Sequence, residues 1–253
     1  MTDCKKCSWH GKPIDCPASF NIDTHECKSF KPKENTSIKM LTFPSREEWL
    51  KARGNTIGGS DASAVMGMNP YKTNEQLWLE KTGQVTPEDI SGKSYVEYGT
   101  KAEPLLRELF KLDYPEYQVF YEENNLFLND KYPWGHYSAD GWLKDKDGRK
   151  GILEIKTTEI LQSMQKEKWN KRIPDNYYIQ CLHGLLIMEA DFVILKAQLK
   201  TVFDGVPYIQ TKHYPIERSD VEDDIKYLAR EEARFGDSVL KRRRPNLILP
   251  SLA

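Results

Sequence analysis

Three charged residues, Asp140, Glu154 and Lys156, have the types and spacing to do chemistry. Asp140 stands in Tyr137-Ser138-Ala139-Asp140-Gly141; Glu154 and Lys156 stand in Ile152-Leu153-Glu154-Ile155-Lys156. Side chains alternate along a strand, so Glu154 and Lys156 project to one side and Leu153 and Ile155 to the other, into apolar packing. A hairpin turning at Asp147-Gly148 sets Asp140 beside Glu154. Two carboxylates and an ammonium then converge at one sheet edge. Mg2+ (or Mn2+) prefers carboxylate and carbonyl oxygens and keeps several waters. Held by Asp140, Glu154 and the Ile155 carbonyl, such an ion activates water for metal-assisted phosphodiester hydrolysis. Lys156 holds that water or offsets negative charge in the transition state. Taken alone, Glu-x-Lys after an upstream Asp fits a solvated strand face better. The apolar surroundings and further motifs shift the balance.

A second group lies near the N-terminus. Cys4, Cys7, Cys16 and Cys27 follow the pattern C-x2-C, x8, C-x10-C, with His10 and His25 in the same stretch. Four thiolates suit a tetrahedral ion, and a segment so poor in apolar residues gains folding free energy from a metal. Zn2+ leads, an iron–sulfur cluster is second, and a Cys3His shell is a variant. A metal-free tail with reduced thiols is the competing reading. Cys181 stands apart in an apolar helix as a small core residue.

The elements that must position these groups follow from pattern. Residues 1–30 form the Cys-rich module, 31–44 a polar linker and 45–253 the main domain. Ser45 caps a helix to Ala52 or Arg53, with Glu48 as capping-box partner. Gly58-Gly59-Ser60-Asp61 turns into a short helix, Ala62 to Met66, and Thr73 to Lys81 is another with Leu77 and Trp78 inward. Tyr95 to Leu112 is a long helix that Pro104 kinks or restarts. Strands are expected at Gln118–Leu128, His136–Leu143 and Gly151–Thr157, helices at Ile160–Lys171 and Tyr177–Glu189, strands at Phe192–Lys200 and Val206–Tyr214, and a closing helix over Asp220–Leu240. This order predicts an α+β (α/β-like) domain with a mixed central sheet flanked by helices.

The 253 residues suffice for one sizeable domain plus an appendage. No stretch approaches the roughly 18 apolar residues of a membrane span, and no apolar leader opens the chain, so a cytoplasmic protein is expected. Lys and Arg total 37 against 38 Asp and Glu, a net charge of -1. That balance lacks the basic excess of many nucleic-acid binders. It excludes none, because a bound cation supplies charge that the count omits. Lys241-Arg242-Arg243-Arg244 either contacts phosphates or is a solvated tail.

Several ordered motifs carry a resemblance. The runs Ile57-Gly58-Gly59-Ser60-Asp61-Ala62, Asn69-Pro70-Tyr71-Lys72-Thr73, Leu77-Trp78-Leu79-Glu80-Lys81-Thr82-Gly83 and Tyr98-Gly99-Thr100-Lys101-Ala102-Glu103-Pro104 are similar to the YqaJ-type viral recombinase (lambda exonuclease) family. Ser138-Ala139-Asp140-Gly141 and Leu153-Glu154-Ile155-Lys156-Thr157 resemble its P-D-(D/E)-x-K core, with a restriction-endonuclease-like fold, and Tyr177-Tyr178-Ile179-Gln180 the helix that follows. The resemblance spans roughly residues 45–215. It implies Asp140 and Glu154 as principal metal ligands and Lys156 as the catalytic lysine. Glu103 would serve a second ion or its water, and Gln180 would orient Lys156 or the nucleophilic water. It also implies Arg53 and Ser60 as a 5′-phosphate pocket, which suits guanidinium and hydroxyl chemistry; Arg53 as a helix-end cation and Ser60 as a helix cap are the bland alternatives. The implied activity is a Mg-dependent exonuclease, 5′→3′ on double-stranded DNA ends, releasing 5′-mononucleotides in phage-type recombination. An endonuclease of the same fold and a non-catalytic DNA-binding or docking module are the rivals. The implied partners are DNA ends, a single-strand annealing protein and further copies in a homotrimer. The Cys-rich first 40 residues depart from the family pattern.

Overall fold

The computed structural model describes Phe20–Asn21, Glu26–Cys27 and residues 38–161 and 163–249. The chain divides into two units, Met1–Ser37 and Ile38–Ala253. In the first, β1 (Phe20–Asn21) and β2 (Glu26–Cys27) pair antiparallel, Phe20 opposite Cys27. Of the metal centre expected on Cys4, Cys7, Cys16 and Cys27, with His10 and His25 as alternatives, all but the backbone of Cys27 lies outside the described residues.

The second unit begins inside the stretch read as linker. Residues Ile38–Thr42 form β3, which pairs antiparallel with β5 (Asn125–Asn129). Four of its five side chains are exposed, so backbone pairing alone makes it a strand and hydropathy does not reveal it.

Four helices follow. Ser45 Oγ accepts the Glu48 N–H and opens α1 (Arg46–Arg53), which Gly54 ends at φ +46°. Then come α2 (Gly59–Val65) and α3 (Asn74–Lys81), the latter started by a Thr73/Gln76 capping box. The fourth, α4 (Ser94–Asp113), passes through Pro104 as one helix.

The main sheet has the order β10-β9-β8-β7-β4. Its strands are β4 (Gln118–Phe120), β7 (Gly141–Lys144), β8 (Lys150–Glu159), β9 (Phe192–Phe203) and β10 (Val206–Glu217). All neighbours are antiparallel except β8 and β9, which run parallel with α6 (Asp175–Met188) in the crossover. The sheet is therefore mixed, as expected. A smaller sheet, β3-β5-β6, holds β5 and β6 (His136–Tyr137).

Two expected strands are thus each split between two sheets. Gln118–Leu128 breaks at Asn124, whose φ is +52°, and His136–Leu143 breaks before Gly141. The hydropathy of each run gives a face but not a sheet. The helix expected over Ile160–Lys171 is only Ser163–Glu167, α5. Trp169 is pulled into the core, and its carbonyl accepts hydrogen bonds from Lys212 Nζ (2.9 Å) and Tyr214 OH (2.6 Å), which ends the helical ladder.

The two faces of β8 have different partners. Leu153 and Ile155 pack with Ala102, Leu106 and Phe110 of α4. Ile152 packs with Leu182, Leu185 and Leu186 of α6. Behind α6 lies α7 (Glu222–Leu240), an amphipathic helix that buries Ile225, Leu228 and Phe235. No described helix is long and apolar enough to cross a membrane. The basic run after α7 is engaged within the unit: Arg242 donates to the Thr82 carbonyl and Arg244 pairs with Glu75.

His183 of α6 and Glu232 of α7 are both fully buried, 2.7 Å apart. His183 Nδ1 faces the Glu232 carboxylate and Nε2 faces the His136 carbonyl at 2.9 Å. Both partners are acceptors, so both ring nitrogens carry protons. Burial alone would lower the His183 pKa, but the Glu232 charge and the two hydrogen bonds outweigh it and raise it. The pair's contribution is therefore full below the unfolded histidine pKa of about 6.5 and is lost as pH rises through the folded value. Glu232→Gln should destabilise the fold by about 3–5 kcal/mol at pH 6. Denaturant melts should show a smaller deficit at pH 9.

Candidate active site

The site is built where β8 outruns β7. Their register pairs Gly141 with Leu153, which puts Asp140 across from Glu154 as β7 begins. Beyond that point, among the described residues, only β9 pairs with β8. On the freed side, Asp140 Oδ2 accepts the Ile155 N–H at 2.8 Å and takes the place of the missing strand. The turn that sets this register has Gly148 at φ +83°, a conformation that favours glycine.

Glu154 is 1% exposed. Its Oε1 accepts from Gln180 Nε2 at 2.6 Å and pairs with Lys156 Nζ at 2.7 Å; its Oε2 accepts the Tyr137 hydroxyl. Burial alone would lower the Lys156 ammonium, but Glu154 and then Asp140 hold it above the ordinary lysine range. It is a charged donor throughout the physiological range. Burial, and then the Glu154 charge, push Asp140 well above the usual carboxylate range. Burial does the same for Glu103, less strongly, against the opposing charge of Arg107.

Glu103 arrives on α4, from the opposite face of the sheet. It is held by Arg107, one helical turn on, whose Nε also donates to the Asp140 carbonyl. Two cavities, of about 400 and 600 Å3, meet along Ser60, Glu103, Asp140 and Gln180. Ile155 and Lys156 face the smaller, and Arg53 lines the larger. Arg53, Ser60, Glu103, Asp140, Ile155, Lys156 and Gln180 thus line the two cavities, and Glu154 is buried behind them, bonded to Lys156 and Gln180. Among the described residues, no three His, Cys, Asp or Glu side chains stand as a ready-made ligand shell. Arg107 and Lys156 already pair with two of the acids.

Sequence reasoning missed three residues that hold this arrangement. Tyr137 is fully buried between α2 and α6. It fits because Gly59 and Gly184 face its ring: a Cβ on either would stand 2.8–3.1 Å from ring carbons. Arg107 fixes Glu103. His136 orients Arg53: Arg53 Nε donates to His136 Nε2 at 3.1 Å. Thr56 Oγ1 donates to the Arg53 carbonyl and lies 2.8 Å from His136 Nδ1. With that hydroxyl proton used, Nδ1 is the donor and Nε2 the acceptor, so His136 is neutral. The Arg53 guanidinium lies 4.5 Å from the centre of the Trp49 ring, held by a cation–π contact. The local signal for this was faint, since His136 is far from Arg53 in the chain.

The chain belongs to the YqaJ-like viral recombinase domain family, whose model matches residues 48–191. It is 31% identical over 203 residues to an uncharacterized YqaJ protein of Bacillus subtilis (strain 168), covering 80% of this chain and 59% of that one. The chain thus spans about three-fifths of that relative's length. Its fold is shared with an alkaline exonuclease from Laribacter hongkongensis, at 17% identity and a TM-score of 0.54, covering 78% of this chain and 97% of that chain. The same exonuclease in complex with dAMP matches at 16% identity and a TM-score of 0.55, over 78% of this chain and 96% of that chain.

Burial, and next the Arg53 charge, lower the His136 pKa to about 3. A lowered histidine pKa costs stability as pH falls, because the unfolded chain takes a proton that the folded chain refuses. NMR of the imidazole should show His136 neutral from pH 8 to pH 5, while His183 stays protonated near neutrality.

Proposed function

We propose that the chain is a divalent-metal-dependent DNA exonuclease acting 5′→3′ on double-stranded ends. One observation carries this reading. Glu103 of α4, Asp140 just before β7 and Lys156 of β8 line one cavity where a strand end leaves the sheet open, and the buried Glu154 is bonded to Lys156 directly behind them.

The donor set fits a hard cation. Asp140, Glu154, Glu103 and the Ile155 carbonyl offer only oxygen, the preference of Mg2+ and Mn2+. Burial and then the Glu154 charge raise Asp140, and a cation between such acids offsets both. When bound, the metal would activate water and stabilise charge on the phosphoryl group. Lys156, held charged by Glu154 and Asp140, donates to the water or to a phosphate oxygen. Gln180 fixes Glu154 and so keeps the carboxylate from rotating.

The polarity rests on the larger cavity. Among the described residues Arg53 spends Nε on His136, and its two terminal nitrogens have no hydrogen-bond partner. Bidentate phosphate binding uses that fork, and Ser60 on the shared wall adds a hydroxyl. A terminal 5′-phosphate held there leaves the first phosphodiester at the carboxylates. Family membership supports a role in phage-type recombination. A single-strand annealing partner, a homotrimeric assembly and mononucleotide products complete the proposal.

Linear duplex DNA with 5′-phosphates should be digested with Mg2+ and be stable with chelator, while covalently closed circles should resist. Asp140→Ala or Lys156→Ala should lower the rate at least about 100-fold with circular dichroism unchanged; wild-type activity in either would refute the assignment. Replacing the 5′-phosphate by hydroxyl should slow wild type about tenfold and leave Arg53→Met indifferent to the change.

A further inference from the structure

The smaller cavity has an unusual wall for a site of carboxylates. Tyr71, Tyr95 and Tyr177 line it together with the catalytic Lys156. Tyr71 is 86% exposed and Tyr95 60%. Tyr71 sits on a rigid turn: Asn69 Oδ1 accepts the N–H groups of Tyr71 and Lys72, and Asn69 Nδ2 donates to Ser63 Oγ at 3.1 Å. Tyr95 stands in the first turn of α4, the helix that delivers Glu103. Tyr177 opens α6 and is backed by Trp169, ring centres 5.5 Å apart. The aromatic wall thus draws on α4, which carries Glu103, on α6, which carries Gln180, and on the turn before α3. It belongs to neither the metal chemistry nor the phosphate pocket.

Position says what it faces. The two cavities meet at Ser60, Glu103, Asp140 and Gln180. With a 5′-terminal phosphate at Arg53 in the larger cavity, the first phosphodiester lies at that junction. Past that junction the smaller cavity lies open to the next nucleotide. At about 400 Å3 that cavity is within the roughly 300–1,000 Å3 of small-ligand pockets. Its aromatic surface offers flat apolar faces rather than a fixed donor–acceptor pattern. That is the chemistry for taking any of the four bases, because every base has a π-face. An enzyme that digests a strand of arbitrary sequence needs this tolerance.

We propose that the smaller cavity is a nucleobase subsite, in which the second base from the 5′ end leaves its pair and stacks against Tyr71 and Tyr95. This rests on the exonuclease reading for its direction. Stacking holds the second nucleotide, and hence the scissile phosphate, against Lys156 and Asp140. Tyr71 and Tyr95 are substrate-binding residues here, and Tyr177 is the floor.

The test is a protein–DNA cycle read by both binding and cleavage. Binding of the full chain to 5′-phosphorylated duplex is measured by fluorescence anisotropy in low salt with chelator. The duplex ends carry either a normal or an abasic second nucleotide. Wild type should prefer the normal end about tenfold. Tyr71→Ala and Tyr95→Ala should each lose most of that preference and bind the abasic end as wild type does, and Tyr71→Phe should keep it. Equal affinity of wild type for the two ends overturns the subsite, as does an equal loss by Tyr71→Ala on both. A Tyr71→Phe defect as large as that of Tyr71→Ala overturns stacking. Cleavage of the same DNA with Mg2+ separates the two ideas. Cleavage without a base effect leaves the exonuclease reading and removes the subsite; a base effect on binding without cleavage does the reverse.

Discussion

Burying an ionised carboxylate costs several kcal/mol unless the surroundings answer it with charge and hydrogen bonds. Glu154 is such a group, 1% exposed on the central strand of the main sheet. Its two oxygens have three partners, Gln180, Lys156 and Tyr137, and much of the architecture exists to bring them there. Lys156 comes free with the alternation of β8. Gln180 requires α6 to cross over from β8 to β9 on this face. Tyr137 requires α2 and α6 to accept a whole ring between them, hence the close approach of Gly59 and Gly184. A Cβ at either position would push the ring and leave one oxygen of a buried charge without its donor, a loss worth about 1–3 kcal/mol or more.

The second acid is bound to the first by topology. Because β7 starts at Gly141, opposite Leu153, Asp140 cannot sit elsewhere than beside Glu154. The fold thereby forces two carboxylates together in a buried place, and Asp140 bears the strain in its raised pKa. A chain selected only for stability would replace one of them with a neutral side chain. Retaining both is the pattern expected of a site that binds a cation. Arg107 extends the logic to Glu103. One guanidinium bridges the α4 carboxylate and the Asp140 carbonyl, locking the helix on one face of the sheet to the acids at its end.

The parts of this site that were legible in the sequence are local. Alternation put Glu154 and Lys156 on one face and Leu153 and Ile155 on the other, and Asp147-Gly148 placed the turn that brings Asp140 across. Capping at Ser45 fixed where α1 begins, and apolar spacing gave the extent of α4, though not its passage through Pro104 as one helix. The illegible parts depend on distant pairing. Residues 38–42 read as linker because an exposed strand has no hydropathic signature. Gln118–Leu128 read as one strand because a β period says nothing about which sheet a residue joins. His136 had no local reason to be more than a packing residue. Its meaning lies in Arg53 and Thr56, 83 and 80 residues away. Tyr71 and Tyr95 were visible as residues, but their sharing of one cavity is a fact of the fold.

On the proposed function, the buried acids are held together against their own repulsion to bind a cation. Thermal melting of wild type and Asp140→Asn, each with chelator and with Mg2+ at pH 8, tests it most directly. Without metal, Asp140→Asn should melt higher than wild type, because a neutral amide removes the repulsion with Glu154 while still accepting the Ile155 N–H. Mg2+ should raise the melting temperature of wild type and not of the variant. A variant that melts lower than wild type in chelator, or that gains as much from Mg2+, would contradict it.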